Sequence, residues 1–421
     1  MEGFKRVLYF SVARYFRLFA WIRFRIWHPT VIVVTGSSGK TTLLHFIQSQ
    51  LGSLARYSHD ANSAIGIPFD LLDLHRQTLL PSEWPLLFLK APFKAFSPKP
   101  RQALYVVEAD CDRPGEGRFL ASFLKPHVTL WINVSRTHSM NFDRLIRRKK
   151  FPSHETAVAR EFGYFPELTR KLVIVNGDSP LISGQLYRCR ATIHRIRMKQ
   201  LAAYRINGGT SFTIGTKVYR FRALLPRETY YTIAATLELL GWLRVKPDAQ
   251  AFNRLILPPG RSSRFPGVKG TTIIDSSYNA NFDSMKAVLG MFESLPASPK
   301  WVVLSDMLEQ GAVEREEHEK LATLVSGMKL DRIVFMGPRT FKYTVPAFRA
   351  RQTEIPFASF QTPREVLDYL KKSLRGRETV LFKGGRFLEG VIGHLLADPD
   401  DIRKLCRREE VWQRRRKQWG L

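Results

Sequence analysis

The sequence predicts an α/β protein with a central domain built on a parallel sheet, followed by a smaller, Rossmann-like α/β domain. Strand-like apolar runs alternate with helical stretches from residue 31 to residue 240, and a second alternation runs from residue 271 to residue 382. Such alternation is typical of parallel sheets covered by helices, which gather ligands at the carboxyl ends of their strands. The length of 421 residues also exceeds what one hydrophobic core usually supports.

The first alternation has a signal for each of its elements. Four runs rich in Val, Ile, Leu and aromatic residues have the composition of buried strands. The first predicted strand begins at residue 31, and the other three cover residues 103–108, 128–134 and 172–175. A helix is predicted over 42–51, directly after the first strand. Residues 188–221 predict short β segments around the turn signal Asn207-Gly208-Gly209, and a helix over 229–240 is closed by Gly241.

The second alternation follows residues 257–260, whose sequence Leu-Pro-Pro-Gly predicts a domain boundary. Its predicted strands cover residues 271–274, 301–304, 332–336 and 379–382. Its predicted helices cover residues 284–295, 314–327 and 363–372. The sequence therefore predicts four segments, which are a basic aromatic leader at 1–28, a central domain at 29–257, a C-terminal α/β domain at 258–398 and a basic tail at 399–421.

The composition excludes several classes of protein. With 44% hydrophobic and 24% charged residues, the chain has the composition of a globular protein. Its cysteines, Cys111, Cys189 and Cys406, are scattered and odd in number, which argues against a disulfide framework or a zinc site and favours a reducing cytoplasm. The net charge of +29 favours polyanionic partners. Nucleic-acid binding is nevertheless not expected, because the sequence contains no recognition motif for it.

The leader interleaves arginines with aromatic residues. Its longest uncharged run, from Val7 to Ala13, is far shorter than the roughly 20 residues that cross a bilayer. The leader also lacks the apolar core and cleavage site of a signal peptide. Four of its arginines share one arc of a helical wheel, which favours peripheral contact with the inner face of a membrane. The alternative is a helix that packs on the main domain with its arginines in water.

Residues 31–42 have the sequence VIVVTGSSGKTT, a buried strand followed by a Gly- and Ser-rich loop and the start of a helix. This order places backbone N–H groups, a helix N-terminus and the Lys40 ammonium around one point, which is how proteins cradle a nucleotide phosphate. Val34 stands where the usual spacing has a further glycine. We expect the loop to bind ATP through Gly36, Ser37, Ser38, Gly39, Lys40, Thr41 and Thr42.

Polar residues also follow the other predicted strands. Glu108, His138, Asn176 and Asp178 stand at or just beyond strand ends, so a parallel sheet carries them to the same edge as the loop. The Thr41 hydroxyl and the Glu108 carboxylate are hard oxygen ligands that suit Mg²⁺. The alternatives are a solvated strand end for Glu108, a structural histidine at 138 and an Asx turn at residues 176–178.

In this order, these motifs resemble those of the Mur ligase family, the ATP-dependent enzymes that join a carboxylate to an amino acid or dipeptide. Residues 35–42, TGSSGKTT, resemble the family's TGTNGKTT. Further similar segments are residues 62–68, 108–116, 131–138, 176–178, 259–261, 275–281, 306–311 and 383–385. Residues 275–281 (DSSYNAN) and 306–311 (DMLEQG) favour the branch that adds D-alanyl-D-alanine. The resemblance covers roughly residues 31–396.

The resemblance implies that ATP phosphorylates an acceptor carboxylate and that an amine then attacks the acyl phosphate, as in cell-wall peptide precursor synthesis. It implies catalytic roles for Lys40, Glu108 and His138, with Thr41, Glu108 and His138 as ligands of Mg²⁺. Alternative metal ligands are Asp112 and Glu116. Nucleotide contacts are also implied for Asn176, Arg261, Asp275, Tyr278, Asn279 and Asn281. Contacts with the acceptor or with the incoming amino acid or dipeptide are implied for Asn62, Asp306, Glu309 and Lys383.

Departures from the family pattern leave alternatives open. Only thirty residues precede the first strand, where the family usually has a domain for a uridine-diphosphate sugar, so a lipid-linked acceptor is one alternative. The lysine that many members carbamylate for a second Mg²⁺ falls at Phe162, and an adenine-side motif falls on Arg227, Glu228 and Tyr231. The alternative functions are a membrane-associated ligase that polymerises an amino acid, as poly-γ-glutamate synthetases do, and a non-catalytic nucleotide-binding descendant.

Overall fold

The computed structural model describes residues 2–59, 61–77, 80–136, 138–385 and 387–421. By their contacts, these residues form two compact units. The first comprises Met1–Ser135, Asn141–Gln200 and Tyr231–Asp248, and the second comprises Arg136–Met140, Leu201–Tyr230 and Ala249–Leu421. The sequence analysis assigns residues 201–230 to the central domain, whereas their contacts group them with the second unit. Packing in space, which the order of residues along the chain does not reveal, decides this grouping.

The first unit is built around a six-stranded parallel sheet. Its strands are β1 (Thr30–Thr35), β2 (Ala55–Ser58), β3 (Leu104–Ala109), β4 (Val128–Trp131), β5 (Leu172–Asn176) and β6 (Thr192–Ile196). They lie in the order β2-β3-β1-β4-β5-β6, so the direction of strand addition reverses at β1. There Thr35, the last residue of β1, lies between Ala109 of β3 and Trp131 of β4. Such a reversal opens the crevice in which α/β sheets bind ligands.

Helices accompany this sheet, and the first of them packs on the body of the unit. The helices are α1 (Glu2–Trp27), α2 (Lys40–Leu51), α3 (Gly66–Leu71), α4 (Trp84–Ala95), α5 (Glu116–Leu124), α6 (Asp143–Arg147), α7 (His154–Phe162), α8 (Tyr164–Leu168), α9 (Pro180–Ser183) and α10 (Thr229–Leu243). In α1, Ala13, Phe16 and Ala20 are fully buried. The structure thus agrees with packing of the leader onto the main domain. Within the described part of the chain, no helix combines the length and apolarity needed to span a membrane.

The second unit contains a three-stranded antiparallel sheet and a six-stranded sheet. The smaller sheet consists of β7 (Leu201–Ile206), β8 (Thr210–Ile214) and β9 (Lys217–Phe221). The larger consists of β10 (Ser263–Pro266), β11 (Thr272–Ser276), β12 (Lys300–Ser305), β13 (Arg332–Met336), β14 (Phe357–Phe360) and β15 (Thr379–Lys383), in the order β10-β11-β15-β12-β13-β14. Only the β10–β11 pairing of this sheet is antiparallel.

Both faces of the larger sheet are buried. Along β12, Val302 and Leu304 join one hydrophobic cluster, while Trp301 and Val303 join another. Burial on both faces is the normal situation of a parallel sheet and explains the continuous apolar runs of its strands. The helices of this unit are α11 (Ala249–Asn253), α12 (Phe282–Glu293), α13 (Glu314–Ser326), α14 (Val345–Arg349), α15 (Pro363–Ser373), α16 (Leu388–Gly393) and α17 (Glu410–Lys417).

The predicted α/β fold class is confirmed, and each strand and helix predicted individually is found with slightly shifted ends. The prediction that Gly241 ends its helix is wrong, because α10 continues through Gly241 to Leu243. The sequence analysis did not predict the strands β2, β10 and β14, nor the helices α3–α9, α11, α14, α16 and α17. The helix α4 was not predicted for two reasons. Apolar residues lie on more than one of its faces and Pro92 stands inside it, so the sequence shows no clear helical period of apolar residues. The strands β2, β10 and β14 are only four residues long and lie at sheet edges, where the sequence signal is weak.

Candidate functional site

The phosphate loop joins β1 to α2 and depends on two glycines. Gly36 has a φ of 135° and Gly39 a φ of 77°, backbone conformations that other residues rarely adopt. A Cβ atom at Gly36 would also lie 3.0 Å from the backbone oxygen of Asn133. The Ser38 N–H donates to Asn133 Oδ1, and Asn133 Nδ2 donates to the Ser38 carbonyl, both at 2.9 Å. The segment after β4 therefore clamps the loop in its cradle shape.

Lys40 lies at the start of α2 and is buried. Its Nζ donates to the Gly36 carbonyl at 2.7 Å and lies 2.6 Å from Asp110 Oδ2. Burial lowers the pKa of Lys40, but the carboxylates of Asp110 and Glu108 outweigh it, so the net pKa is raised. The side chain is therefore a fixed positive charge inside the loop. Sequence reasoning missed Asp110. This residue stands directly after β3 and therefore belongs to the polar residues at strand ends from which the other site residues were predicted.

A hydroxyl and a carboxylate meet at the exit of the loop. Thr41 Oγ1 donates to Glu108 Oε2 at 2.9 Å, and Asn62 Nδ2 lies 3.5 Å from Glu108 Oε1. The Glu108 backbone N–H donates to Ser58 Oγ at 3.1 Å, which fixes the strand end. This oxygen donor set beside a lysine fits Mg²⁺ carried by a nucleotide. The structure thus brings together Lys40, Thr41 and Glu108, as predicted, with Asn62 beside Glu108. A substrate contact of Asn62 stays a prediction.

Asn176 and Asp178 form the Asx turn that the sequence analysis named as their alternative role. Asn176 Nδ2 donates to the Ile132 carbonyl at 3.1 Å, and the Asp178 N–H donates to Asn176 Oδ1 at 2.9 Å. Asp178 Oδ2 accepts from the Tyr231 hydroxyl at 2.7 Å. These contacts brace the end of β5. A nucleotide contact of Asn176 stays a prediction.

The departures at Phe162 and at the adenine-side motif are visible in the structure. Phe162 is fully buried, with its ring centroid 6.2 Å from that of Trp131, so it is a core residue and offers no metal ligand. Arg227 and Glu228 are exposed at the start of α10. Phe162 therefore supplies no ligand for a second metal ion.

Glu116 is a buried carboxyl that ties the start of α5 to α1. Its Oε1 accepts from the Tyr9 hydroxyl at 2.8 Å and from the Ala64 N–H at 2.9 Å. Arg113 lies 3.5 Å from Glu116 Oε2 and stacks 3.8 Å above the Tyr9 ring centroid. Burial raises the pKa of Glu116 to about 7. This cluster connects α1 to the 62–68 segment next to Glu108.

The raised pKa of Glu116 leads to a prediction about stability. Between about pH 4.5 and pH 7, the folded state binds more protons than the unfolded state, so the free energy of unfolding falls as the pH rises. The loss is at most about 3 kcal/mol. Glu116→Gln keeps an acceptor for Tyr9 and Ala64 and should flatten this dependence, as measured by urea unfolding across the window. Parallel pH profiles of variant and wild type would refute the assignment.

The segment after β11 gathers several predicted residues in the second unit. The Arg261 guanidinium lies 4.6 Å from the ring centroid of Tyr278, whose N–H donates to the Gly260 carbonyl at 3.3 Å. Gly260 has a φ of 74°, and a Cβ there would lie 2.9 Å from the Tyr278 nitrogen. Asn281 accepts from the Ser284 N–H at 2.8 Å and caps α12, the structural role weighed for this helix entry.

Lys383 and Asp275 lie buried below this segment. Lys383 Nζ donates to the Asn279 carbonyl at 2.6 Å. Burial, assisted by the charge of Arg261, lowers the pKa of Lys383 to about 7. Burial raises the pKa of Asp275, whose Oδ1 accepts from the Ser277 N–H at 2.9 Å. Both groups therefore lie in a site poor in solvent, where a charge is costly without a partner.

Asp306 and Glu309 have different surroundings. Asp306 is fully buried, accepts from the Thr340 N–H at 2.8 Å and lies 3.7 Å from an Arg339 nitrogen, which indicates a structural role. Glu309 lies 2.6 Å from His138 Nδ1, and the hydrogen bond from His138 lowers the pKa of Glu309. A metal-binding role for His138 stays a prediction.

Glu309 also faces a cavity of about 510 Å³ in the second unit. The cavity is lined by the acids Glu309 and Glu314, the arginines Arg339, Arg407 and Arg415, and the rings of Phe387 and Trp412. Sequence reasoning missed Arg407, Trp412 and Arg415, because it assigned residues 399–421 to a basic tail without a structural role. The large apolar side chain of Trp412 within that charged run indicated that the tail packs against the protein.

The geometry of the loop between β1 and α2 shows which class of protein the first unit belongs to. A loop with left-handed glycines, closed around a charged lysine at the head of a helix, binds the phosphates of a nucleotide. Its place at the carboxyl end of a central parallel strand is where α/β proteins bind such ligands. The first unit is therefore a P-loop nucleotide-binding unit.

Comparisons with known proteins show what most of the chain is similar to. Residues 260–386 match the family model described as "Mur ligase, glutamate ligase domain". The UDP-N-acetylmuramoyl-tripeptide–D-alanyl-D-alanine ligases of Bacillus subtilis and Escherichia coli are each 24% identical to the chain. The alignments cover 88% and 77% of this chain and 76% and 68% of those ligases. The resemblance to the Mur ligases, and among them to the D-alanyl-D-alanine-adding branch, is confirmed.

The fold has a counterpart among solved structures. The MurF ligase of Thermotoga maritima in complex with ADP superposes with a TM-score of 0.72 at 19% identity. The superposition covers 91% of this chain and 83% of the ligase. At this identity the likeness concerns the fold.

Proposed function

We propose that this chain is an ATP-dependent carboxylate–amine ligase that acts through an acyl phosphate in cell-wall peptide precursor synthesis. The observation that carries the proposal is the convergence of Lys40, Thr41 and Glu108 at the end of β1, in a chain that matches D-alanyl-D-alanine-adding ligases along most of its length. In analogy with the names of those relatives, the acceptor would be a UDP-N-acetylmuramoyl tripeptide and the amine D-alanyl-D-alanine.

The roles of the loop residues follow from their positions. Bound Mg²⁺–ATP supplies the phosphoryl group that turns the acceptor carboxylate into an acyl phosphate, from which phosphate can leave. Lys40 neutralises charge on the outer phosphates, and the N–H groups at the start of α2 hold them in place. Thr41 and Glu108 are positioned to hold the metal ion, with Asn62 beside Glu108. Because phosphoryl transfer needs mainly positioning and neutralisation, these residues suffice for the first step.

We assign the cavity of the second unit to the incoming amine substrate. A dipeptide carries an ammonium at one end and a carboxylate at the other, and the cavity offers carboxylates and guanidinium groups to both. Glu309 suits the ammonium, while Arg407 and Arg415 suit the carboxylate. Phe387 and Trp412 supply the apolar wall that a small side chain would contact.

The finer partners and the location are further parts of the proposal. A small-molecule acceptor agrees with the names of the relatives, and a cytoplasmic location is part of the proposal. The alternative acceptor is lipid-linked, with α1 at the inner face of the membrane. The alternative function that fits this acceptor is the membrane-associated ligase that polymerises an amino acid. The division into a central domain at 29–257 and a ligase domain at 258–398 is likewise kept as a proposal.

The proposal is tested by product formation. Purified protein with ATP and Mg²⁺ should release phosphate only when a UDP-muramoyl tripeptide and D-alanyl-D-alanine are both present, and mass spectrometry should find the joined product. Successive mass additions of one amino acid would instead identify the polymerising ligase. Nucleotide binding without phosphate release over a broad set of acceptors and amines would identify the non-catalytic descendant.

The assignment of the cavity gives a prediction for Arg415. Its guanidinium lies 4.8 Å from the ring centroid of Trp412 at the cavity wall. Arg415→Ala should raise KM for the amine substrate about tenfold with little change in kcat, because a binding contact is lost before the reaction. The matched control is Arg414→Ala, since Arg414 pairs with Glu410 on the helix surface. Equal KM values for the two variants would place the amine elsewhere.

A further inference from the structure

The helix α4 is anchored through one apolar face. Leu87, Ala91 and Ala95, spaced four residues apart, are all buried. The hydroxyl of Tyr15 in α1 donates to the Phe88 carbonyl at 2.8 Å, and the centroids of these two rings lie 4.9 Å apart. These contacts hold α4 against α1 and the body of the first unit, so the orientation of its other face is defined.

That other face carries large apolar side chains in solvent. The exposed fractions are 55% for Leu86, 68% for Leu89, 80% for Phe93 and 71% for Phe96, which directly follows the helix. At about 100° per residue, the four side chains lie within an arc of about 80°. Scattered exposed apolar residues are normal on protein surfaces, but a continuous stripe of this kind marks an interaction site.

The charges around the stripe select its partner. Lys90, Lys94, Lys99 and Arg101 flank it, and residues 84–107 contain neither Asp nor Glu. The supporting helix α1 likewise has no acidic residue between positions 7 and 27. Glu83, directly before α4, pairs with Arg76, and Asp73 pairs with Arg23 and Arg56, so the charge left around the stripe is positive. An apolar stripe with a positive border fits the surface of an anionic bilayer, where apolar side chains enter the acyl boundary and ammonium groups meet the head groups. The bases of a nucleic acid stack on aromatic rings such as those of Phe93 and Phe96, but a nucleic acid has no aliphatic surface to cover Leu86 and Leu89.

We propose that the outer face of α4, formed by Leu86, Leu89, Phe93 and Phe96, rests on an anionic phospholipid bilayer. The side chains enter the interface, while the flanking lysines and Arg101 contact lipid phosphates. The contact is peripheral. It goes beyond the ligase proposal and does not depend on it, because binding to lipid is measured without turnover.

The test is cosedimentation of the full chain with lipid vesicles. The wild type should bind vesicles that contain phosphatidylglycerol, bind pure phosphatidylcholine vesicles far more weakly, and lose affinity as salt is raised. The double variant Leu89→Ser/Phe93→Ser should lower the partition constant at least about tenfold, because two large apolar side chains no longer enter the interface. The matched control is Tyr187→Ser/Ile256→Ser, which removes side chains that are 80% and 85% exposed elsewhere. The control should bind as the wild type does.

A second variant separates charge from apolar contact and guards against misfolding. Lys90→Glu/Lys99→Glu should reduce binding to anionic vesicles while ATP binding and thermal unfolding stay unchanged. Should the serine variant not fold, Phe96→Ser, which lies outside the helix, replaces it. Equal vesicle binding by wild type and serine variant would overturn the proposal, as would a wild type that ignores both kinds of vesicle. Self-association that the serine variant abolishes would assign the face to a second copy of the chain and also overturn it.

Discussion

Replacing Lys40 with alanine is expected to lower the rate of ATP-dependent phosphate release at least about 10³-fold, because the side chain supplies the fixed positive charge inside the phosphate loop. The same substitution leaves the buried Asp110 carboxylate without its cation, which lies 2.6 Å away in the wild type. Removing one partner of a buried ion pair costs about 3–5 kcal/mol. Lys40→Ala should therefore lose both turnover and stability, as measured by phosphate release and by urea unfolding.

The double variant Lys40→Ala/Asp110→Asn separates these two effects. It removes both charges and should recover most of the lost stability, because no uncompensated buried charge remains. Turnover should not return, since nothing replaces the lysine at the phosphates. A double variant that regained activity along with stability would show that Lys40 serves the fold alone, and the assignment of the loop to catalysis would fail.

Replacing Glu389 with alanine is expected to destabilise the second unit by about 3–5 kcal/mol. Glu389 is fully buried and lies 3.4 Å from an Arg407 nitrogen and 3.2 Å from an Arg416 nitrogen. Arg416 also donates to the Arg407 carbonyl at 2.8 Å, so one carboxylate fastens the tail from two sides. Its loss should lower the melting temperature of this unit by about 10 °C and expose the tail to trypsin.

The control for Glu389 lies in the same tail. Glu410→Ala breaks the exposed pair with Arg414 and should change stability by less than about 0.5 kcal/mol. Because Arg407, Trp412 and Arg415 line the cavity, Glu389→Ala should also weaken binding of the amine substrate, whereas Glu410→Ala should not. Equal stability and equal tail cleavage in the two variants would contradict the role assigned to Glu389.

Local patterns sufficed for the phosphate loop. Gly36, Gly39 and Lys40 lie within a few residues of one another, so their order already contains the geometry of the loop. The end of β3 was also predictable, because a parallel sheet carries polar residues that follow its strands to one edge. Glu108 therefore meets Thr41 as expected. Asp110 stands only two residues further on, yet nothing in the sequence says that it, rather than Glu108, pairs with Lys40.

The basic ends of the chain show where local patterns stop. The sequence shows the arginines of the tail only as a basic run, but Arg416 is buried because Glu389, 27 residues earlier, supplies its counter-charge. The helix α4 was not predicted, because one apolar face packs on α1 and another faces solvent, which blurs its period. A pairing between distant residues leaves no trace in the spacing of either partner.

The sequence by itself determined the α/β class, the phosphate loop, the order of most strands and the resemblance to the Mur ligases. These features follow from periodicity and from residues close together in the chain, where backbone geometry leaves few choices. Only the tertiary structure decided that Asp110 pairs with Lys40, that Glu389 holds the tail where it lines a cavity, and that an apolar face of α4 is exposed to solvent. These depend on which distant surfaces pack together, and that choice is made by the free energy of the whole fold.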